Sequence, residues 1–207
     1  MKLIALIFGW WVFKPYSVFV AAILRLKGVK IGRNFYIQGV PYLKIRGRSK
    51  DIHIGNNVSV YGDIDIRNRE KGRIIIDDNV VIDKDCRFVV ANNAILHIHS
   101  DCRIGLNCIF NCGEDVVIGK ETLFAGFCYV QSSDHGIRRG RPIKNQPHTY
   151  GKITIGNDTW VGGHVSILKN VSIGDGAVIG AKSVVTKDVP PYSISVGIPA
   201  AIIAERI

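Results

Sequence analysis

The sequence predicts an all-β fold, a parallel β-helix, from three observations in residues 153–185. Aliphatic residues recur there at every sixth position: Ile155, Val161, Ile167, Ile173, Ile179 and Val185. A second set, mostly small or aliphatic, lies two positions earlier in each repeat: Ile153, Thr159, Val165, Val171, Ala177 and Ser183. Glycine directly follows four members of the first set: Gly156, Gly162, Gly174 and Gly180.

The sixfold spacing excludes an α-helix. Six residues turn through about 600° on a helix, so the aliphatic side chains would point in three directions and form no apolar face. A strand repeats every two residues, so both sets can point inward if the chain bends between successive pairs. Glycine suits those bends because it tolerates conformations that other residues resist. Short strands joined by regular bends are typical of a β-solenoid.

The first 30 residues differ from this repeat. Residues 3–13 and 16–26 are apolar segments separated by Lys14 and Pro15. Each is too short for a membrane span, and no signal-peptide cleavage pattern follows. We expect two short helices, with Arg25, Lys27 and Lys30 beyond the apolar face of the second. They would pack on the β-helix or rest on the inner leaflet of a membrane.

Residues 31–189 carry the repeat, with three interruptions. The charged stretches 44–53 and 67–73 contain glycine and are predicted to bulge outward as loops. The largest interruption, residues 131–152, is predicted to be a protruding loop, where rigid scaffolds often carry their chemistry. Residues 190–207 are expected to cap the end of the β-helix.

Composition limits the partners. A chain of 207 residues that is 47% apolar fits a single domain, and a net charge of +10 favours anionic partners. Nucleic acid is not expected, since no known binding module is present.

The five cysteines form no CxxC pair, which predicts buried reduced thiols. His97 and His99 flank inward Ile98 and should point outward; solvated side chains are favoured over a metal pair, so no metal is expected.

Four motifs carry a family resemblance. They are Ile-Thr-Ile-Gly-Asn-Asp-Thr-Trp-Val-Gly-Gly-His at 153–164, Ile-Gly-Asp at 173–175, Val-Val-Thr-Lys-Asp-Val-Pro at 184–190, and Gly-Ile-Pro-Ala at 197–200. The sequence resembles the hexapeptide-repeat acyltransferases, in the branch that holds galactoside, maltose and glycan O-acetyltransferases. The resemblance implies a left-handed β-helix with three hexads per coil, a homotrimer, and acetyl-CoA as co-substrate.

The resemblance also assigns catalytic roles. Transfer of an acetyl group from a thioester to a hydroxyl needs a base and donors for the transient oxyanion. His135 lies at the position of the family's catalytic base, and imidazole suits that role because its pKa is near neutral. An exposed loop histidine without function is the alternative. Gly163 matches the residue whose backbone N–H faces the thioester carbonyl.

Further residues match binding positions of the family. Those matching coenzyme contacts are Trp160, Gly162, Gly163, Ala181, Lys182, Thr186, Lys187 and Pro199. Ala201 replaces a usual Lys or Arg, so Arg206, Lys182 or the loop arginines are expected to hold the phosphates. Asn107 and Asp115 match sugar-binding residues, with turn formation as the alternative. His164 is either a polar contact at the substrate or an exposed strand histidine.

The sequence therefore predicts a cytoplasmic acetyl-CoA-dependent O-acetyltransferase, either free or associated with the inner face of the membrane. Its acceptor would be a sugar hydroxyl of a surface glycan, such as lipopolysaccharide O-antigen or capsule, or of its lipid-linked precursor. The alternatives are a sugar N-acetyltransferase, an antibiotic acetyltransferase and a non-catalytic trimeric scaffold. A gamma-type carbonic anhydrase is disfavoured because Gly140 stands five residues after His135, where that enzyme has a zinc-binding histidine.

Overall fold

A computed structural model describes residues 5–7 and 9–207 of the chain. Seven coils, each of three short strands, stack in parallel to form three sheets, here called faces A, B and C. Face A contains β1 (Lys30–Ile31), β4 (Ile52–Ile54), β7 (Arg73–Ile76), β10 (Ile95–Ile98), β13 (Val116–Ile118), β18 (Ile153–Ile155) and β21 (Val171–Ile173). The predicted parallel β-helix is confirmed.

The other two faces follow in each coil. Face B contains β2 (Tyr36–Ile37), β5 (Ser59–Tyr61), β8 (Val81–Asp83), β11 (Arg103–Ile104), β14 (Leu123–Phe124), β19 (Trp160–Val161) and β22 (Val178–Ile179). Face C contains β3 (Pro41–Ile45), β6 (Ile64–Asn68), β9 (Cys86–Val90), β12 (Ile109–Cys112), β15 (Tyr129–Gln131), β20 (Ser166–Leu168) and β23 (Val184–Val185).

The core is the column of side chains inside the three faces. Both predicted inward sets are buried: Ile155, Val161, Ile167, Ile173, Ile179 and Val185 are at most 2% exposed, and so is the second set from Ile153 to Ser183. In the middle coils the core is aromatic, because Phe110 packs edge to face against Phe88 and Phe124 at ring distances of 5.4 and 5.3 Å. Stacked aliphatic and aromatic layers therefore stabilise the coils against one another.

The corner glycines serve a different purpose from the one predicted. Neither Gly156 nor Gly174 has a positive φ; the left-handed corner positions are instead occupied by residues such as Asp158 and Lys182. A Cβ on Gly156 would lie 2.5 Å from the backbone nitrogen of Asp175 in the next coil. These glycines are required because the backbones of stacked coils approach closely at the corner, not because the turn needs their conformational freedom.

The helical region precedes the first coil. Residues 5–7 are helical, a 3₁₀ turn covers Trp10–Val12, and α1 covers Phe13–Leu26. The break predicted at Lys14 and Pro15 is wrong: both lie in the first turn of α1, where proline's missing N–H needs no partner. Residues 3, 4 and 8 of the predicted first helix lie outside the described residues. No helix in the described part of the chain is long and apolar enough to cross a membrane.

Helix α1 packs against the first coil. Its buried residues Phe13, Ser17, Val20, Ala21 and Leu24 form one stripe. The Ser17 hydroxyl accepts a hydrogen bond from the Ile37 N–H at 2.8 Å, which ties the helix to β2.

The two charged stretches predicted to be loops are partly strand. Lys44 lies in β3 and pairs in register with Arg67 of β6, so face C includes the first two residues of each stretch. Asn68 at the end of β6 is fully buried, and its amide donates to the carbonyls of Arg48 at 3.0 Å and Gly72 at 3.2 Å. The prediction of loops is wrong at the ends of both stretches, where extra residues lengthen the strands, and residues 46–51 and 69–72 are outside strands. The buried amide satisfies the carbonyls at this corner.

The largest interruption is an arm (residues 133–150) between the fifth and sixth coils. Its strands β16 (Ser133–His135) and β17 (His148–Tyr150) are antiparallel. Gln146 organises the intervening turn by bonding to Arg138 and Arg141. After the last coil, β24 (Ser193–Gly197) and β25 (Ala200–Glu205) form a second antiparallel pair, which continues face B beyond β22.

Candidate functional site

A cleft of about 590 Å³ lies where the arm meets face C. Its volume is within the range of small-molecule sites. Its walls are polar and aromatic: Arg69, Glu70, Ala91, Asn92, Asn111, Gly113, Tyr129, Gln131, Ser133, Asp134, His135, His148 and Tyr150. A cleft of hydroxyl, amide and ring groups suits a polar organic ligand better than an apolar one.

His135 lies on the arm at the rim of this cleft. Register pairs it with His148 on the opposite strand, and the two rings are 4.1 Å apart with an angle of 42° between their planes. Asp134 points to Lys169 instead, with an oxygen 3.5 Å from the Lys169 Nζ. The group that faces the His135 ring is therefore His148 and not the neighbouring Asp134.

The outward residues of face C form a hydrogen-bonded floor under the cleft. Asn111 donates to the Gln131 Oε1 at 2.8 Å, and Gln131 donates to the Ser133 hydroxyl at 2.8 Å. Tyr129 donates to the same Gln131 oxygen. These bonds connect the fourth and fifth coils to the base of the arm, so the floor is held by rigid elements.

Asn107 and Asp115 do not line this cleft. Asn107 is in a corner with φ of 56° and borders a separate groove beside Asp85 and Arg87. Asp115 accepts a hydrogen bond from the Ile95 N–H at 2.9 Å and thereby joins two coils. Asn107 thus has the conformation of a turn residue, whereas Asp115 bonds to a neighbouring coil.

A second group of predicted residues lies at the corner between faces B and C. Trp160 is 54% exposed on β19, and Gly163 follows in the corner. No residue in the described part of the chain accepts a hydrogen bond from the Gly163 N–H, while its carbonyl accepts from Lys182 in the next coil at 2.8 Å. A Cβ on Gly163 would meet nothing closer than 3.5 Å. The Gly163 N–H is thus available to an external acceptor.

His164 lies in this corner and not in a strand, which corrects one of its two predicted interpretations. Its φ is 59°, and its ring stacks on Phe127 of the preceding coil at 4.8 Å with the planes nearly parallel. Two consecutive coils therefore place flat rings beside Gly163.

Of the remaining predicted coenzyme contacts, Ala181 and Lys182 continue this corner in the last coil, whereas Thr186 and Lys187 follow β23 at the other edge of face C. Ala181, Lys182, Thr186, Lys187 and Pro199 are all exposed, and Pro199 lies between β24 and β25. Arg206 is held by Asp158, with 2.8 Å between the Arg206 Nη1 and a carboxylate oxygen. Gly162 is buried and pairs through its N–H with Ile179, so its role is structural.

Within one chain, His135 and Gly163 lie at opposite edges of face C. Gly163 precedes β20, whereas His135 follows β15, and the two strands pair Tyr129 with Ser166 and Gln131 with Leu168. Crossing the face from Gly163 to Leu168 takes about 16 Å of extended chain. One chain alone cannot bring both groups to the same acetyl carbon.

Comparison with known proteins identifies the repeat. Residues 152–187 match the family model described as bacterial transferase hexapeptide (six repeats). A probable acetyltransferase of Mycobacterium tuberculosis is 31% identical over 167 residues, which are 80% of this chain and 53% of the relative. The galactoside O-acetyltransferase of Escherichia coli K12 is 32% identical over 130 residues, 63% of each chain. The chain therefore carries the hexapeptide repeat of bacterial transferases and is similar to acetyltransferases over much of its length.

Solved structures share this fold. The polysialic acid O-acetyltransferase OatWY is 25% identical with a TM-score of 0.59, covering 86% of this chain and 89% of its own. AntD, an N-acyltransferase of Bacillus cereus solved with coenzyme A, is 20% identical with a TM-score of 0.55, covering 90% of this chain and 89% of its own. At that identity AntD shows the fold alone. The chain spans about half the length of the mycobacterial relative and 63% of the E. coli relative.

The five cysteines are free and buried, as their spacing predicted. Burial raises the pKa of the Cys102 thiol to about 11, and it also raises the pKa of Cys112. Thiols with raised pKa values are poor nucleophiles at neutral pH. The cysteines therefore serve as core residues, and none of them lines the cleft.

Sequence reasoning missed His148 and the floor of the cleft. His148 could have been found from the arm itself, since residues 135 and 148 oppose each other if its two ends form a hairpin. Asn111 and Gln131 could have been found as the outward neighbours of inward Phe110 and Val130 in successive coils.

Proposed function

We propose that this protein is an acetyl-CoA-dependent O-acetyltransferase that acts on a sugar hydroxyl. The acceptor would belong to a surface glycan, such as lipopolysaccharide O-antigen or capsule, or to its lipid-linked precursor. The observation that carries this proposal is the placement of His135 at the rim of a polar cleft whose floor is built from amide and hydroxyl groups. Such groups match the hydroxyls of a sugar, and the tyrosine rings can pack against its faces.

The proposed reaction is a direct transfer. His135 takes the proton of the acceptor hydroxyl while the oxygen attacks the thioester carbonyl carbon. The Gly163 N–H donates to the oxygen that becomes negative. When the intermediate collapses, the carbon–sulfur bond breaks, the new ester keeps its carbon–oxygen bond, and the coenzyme thiolate receives the proton from the imidazolium. His148 is well placed to orient the His135 ring.

We also propose a homotrimer, because the two groups lie at opposite edges of face C in one chain. In a cyclic assembly, the arm of one subunit would face the Trp160 to His164 corner of its neighbour. The coenzyme would then lie along that corner. Lys182 is exposed there, and Lys187 is exposed at the other edge of face C, which the neighbouring subunit would bring to the same site; both carry the positive charge that the coenzyme phosphates need.

A thiol-release assay tests the activity. Purified protein would be incubated with acetyl-CoA and a panel of surface-glycan sugars, and free coenzyme thiol would be measured with the ester product. We expect release that depends on one class of hydroxylated sugar. Release only with amino sugars would favour the N-acetyltransferase alternative, and release only with an antibiotic would favour the xenobiotic alternative. No release with any acceptor, together with no binding of coenzyme A, would favour the scaffold.

The membrane is the second proposed partner, and α1 supplies the contact. Opposite its buried stripe, α1 presents Val18, Phe19 and Leu26, which are 68, 64 and 89% exposed. Trp10 and Trp11 extend this apolar face and are also mostly exposed. Helices with such a face lie in the plane of the interface, and tryptophan is favoured at that depth.

The charge distribution favours an anionic membrane. Residues 1–50 contain all of the net charge: ten lysines and arginines and no acidic residue, while the 17 acidic residues of the chain balance the 17 basic residues that follow. Basic side chains next to an apolar helix face attract anionic lipid headgroups. We propose that α1 holds the protein at the inner face of the membrane, close to a lipid-linked acceptor.

Cosedimentation with vesicles tests this contact. We expect the protein to bind vesicles that contain anionic lipid more tightly than vesicles of neutral lipid, with weaker binding at high salt. The double variant Val18→Glu/Phe19→Glu should bind at least about tenfold more weakly. Ile137→Glu, in the arm and 82% exposed, is the matched control and should bind normally. Equal binding by both variants would contradict the membrane role without affecting the proposed reaction.

A further inference from the structure

Three side chains that the proposed reaction does not use converge on the surface of face A. His97 lies in β10, His99 directly follows it, and both point outward because Ile98 between them is fully buried. Asp77 follows β7 in the preceding coil. One carboxylate oxygen of Asp77 is 3.0 Å from the His97 Nε2, and the other is 3.0 Å from the His99 Nδ1.

The geometry points to a divalent transition-metal site at Asp77, His97 and His99. One ligand atom from each residue can be chosen so that all lie within 4.8 Å of one another. Donors around a tetrahedral zinc ion are separated by about 3.4 Å, since each bond is about 2.0–2.1 Å long. Small side-chain rotations suffice to close the difference. The His97 and His99 rings are already side by side, with centroids 3.9 Å apart.

The corner that holds Asp77 and His99 departs from the rest of the solenoid. In the first six coils the N–H of this corner residue donates to the last residue of face A in the next coil, and in the seventh coil it donates to Val189. In the other five coils that residue is glycine: Gly32, Gly55, Gly119, Gly156 and Gly174. At such glycines an added Cβ would crowd the next coil, as at Gly119, where it would lie 2.5 Å from the Gly156 carbonyl carbon. Two adjacent coils therefore replace the small residue with the two side chains that, with His97, form the site.

The donor set defines the class of ion. Two imidazole nitrogens and one carboxylate oxygen suit Zn²⁺, Co²⁺, Ni²⁺ or Cu²⁺, whereas Mg²⁺ and Ca²⁺ prefer oxygen ligands. The side chains of His97, His99 and Asp77 are 26, 32 and 35% exposed, so an ion has access from solvent and keeps room for water as a fourth ligand. On binding, each neutral imidazole keeps its proton on the nitrogen away from the ion, and the ion loses bound water. The ion would join the third and fourth coils.

Metal titration of the untagged full chain tests the site. Isothermal titration with ZnCl₂ should show one tight ion per chain, and CoCl₂ should give the visible absorption of tetrahedral cobalt. The double variant His97→Ala/His99→Gly should raise the dissociation constant for zinc at least about tenfold and abolish the cobalt spectrum. The glycine restores the residue found in five other coils, so this variant should fold.

Two controls separate this site from other histidines. His53→Ala removes another imidazole of face A, which bonds to the Lys50 carbonyl at 2.9 Å. His148→Ala removes one of the two paired histidine rings of the arm. Both should keep the zinc affinity and cobalt spectrum of the parent protein. The proposal is overturned if the parent binds no zinc, if the His97→Ala/His99→Gly variant binds as the parent does, or if His148→Ala abolishes binding. Thiol release is not part of this test, so its result is independent of the proposed function.

Discussion

The two halves of the solenoid are built on different repeats. From Ile155 to Ile173 one coil takes three hexads, and the strands of face C are short. In the first half, β3, β6 and β9 each contain five residues, and the corners after them hold charged and polar residues. The regular half has short face C strands and contains the corner at Gly163. The irregular half provides the floor of the cleft, so departures from the hexad are where the ligand site is built.

Replacing His135 is the strongest test of the proposal that the ligand site lies in the irregular half. His135→Ala should lower turnover by about 10²–10⁴-fold, because general base catalysis contributes that much, while the melting temperature stays unchanged. His53→Ala, on face A of the irregular half, is the control and should keep full turnover. Steady-state thiol release measures both variants. An unchanged rate for His135→Ala would remove this residue from the mechanism.

A glycine substitution tests the close stacking of the regular half. Gly156→Ala places a Cβ 2.5 Å from the Asp175 nitrogen, so the coils must separate. We expect a loss of about 1–3 kcal/mol in the free energy of unfolding, as for overpacked sites. Gly163→Ala, with no atom closer than 3.5 Å to its Cβ, should be nearly neutral in the same urea titration. Equal losses would mean that crowding does not explain the corner glycines.

The buried amide of the irregular half offers the matching test. Asn68→Ala leaves the carbonyls of Arg48 and Gly72 without their donor, and we expect a loss of about 1–3 kcal/mol in the free energy of unfolding. Urea unfolding of the variant and parent gives the difference. A neutral result would show that water replaces the amide and that the longer corner does not depend on it.

The smallest expected effect is a pH dependence from the buried thiols. The pKa of Cys102 is about 11 in the folded chain against an ordinary 9.0, so above pH 9 the unfolded chain releases a proton that the folded chain keeps. Stability should therefore fall as pH rises from 9 to 11, by at most about 1.4 kcal/mol per pH unit for this group. Urea midpoints at pH 8 and pH 10 measure the slope, and Cys102→Ala should reduce it. An identical slope would assign the effect to other groups.

The regular half could be predicted from sequence because its signal is local. Each inward residue of the Ile153 to Val185 stretch is fixed by spacing alone, and all of them are buried. The irregular half misled the same reasoning at Lys44 and Arg67. Both are charged and lie near glycine, but they continue strands whose pairing partners are more than 20 residues away in sequence. Pairing across coils, which no local pattern reports, decided their structure.

The candidate site was predictable only in its individual residues. Motif spacing pointed to His135 and Gly163, but not to their separation across face C, which depends on the stacking of β15 on β20. His148 was missed because its position depends on the pairing of the two ends of the arm. The helix break predicted at Lys14 and Pro15 was wrong because Pro15 lies in the first turn of α1. Proline is tolerated there, whereas in a helix interior it breaks or kinks the helix.

The arm is an insertion whose sequence could be exchanged for that of a related protein. Although residues 133–150 intervene, β13 pairs with β18, β14 with β19 and β15 with β20 in unbroken register. The coils before and after the insertion therefore stack directly on each other. A different sequence between Gly136 and Pro147 could thus be grafted at this point to redirect acceptor choice while the supporting column is left intact.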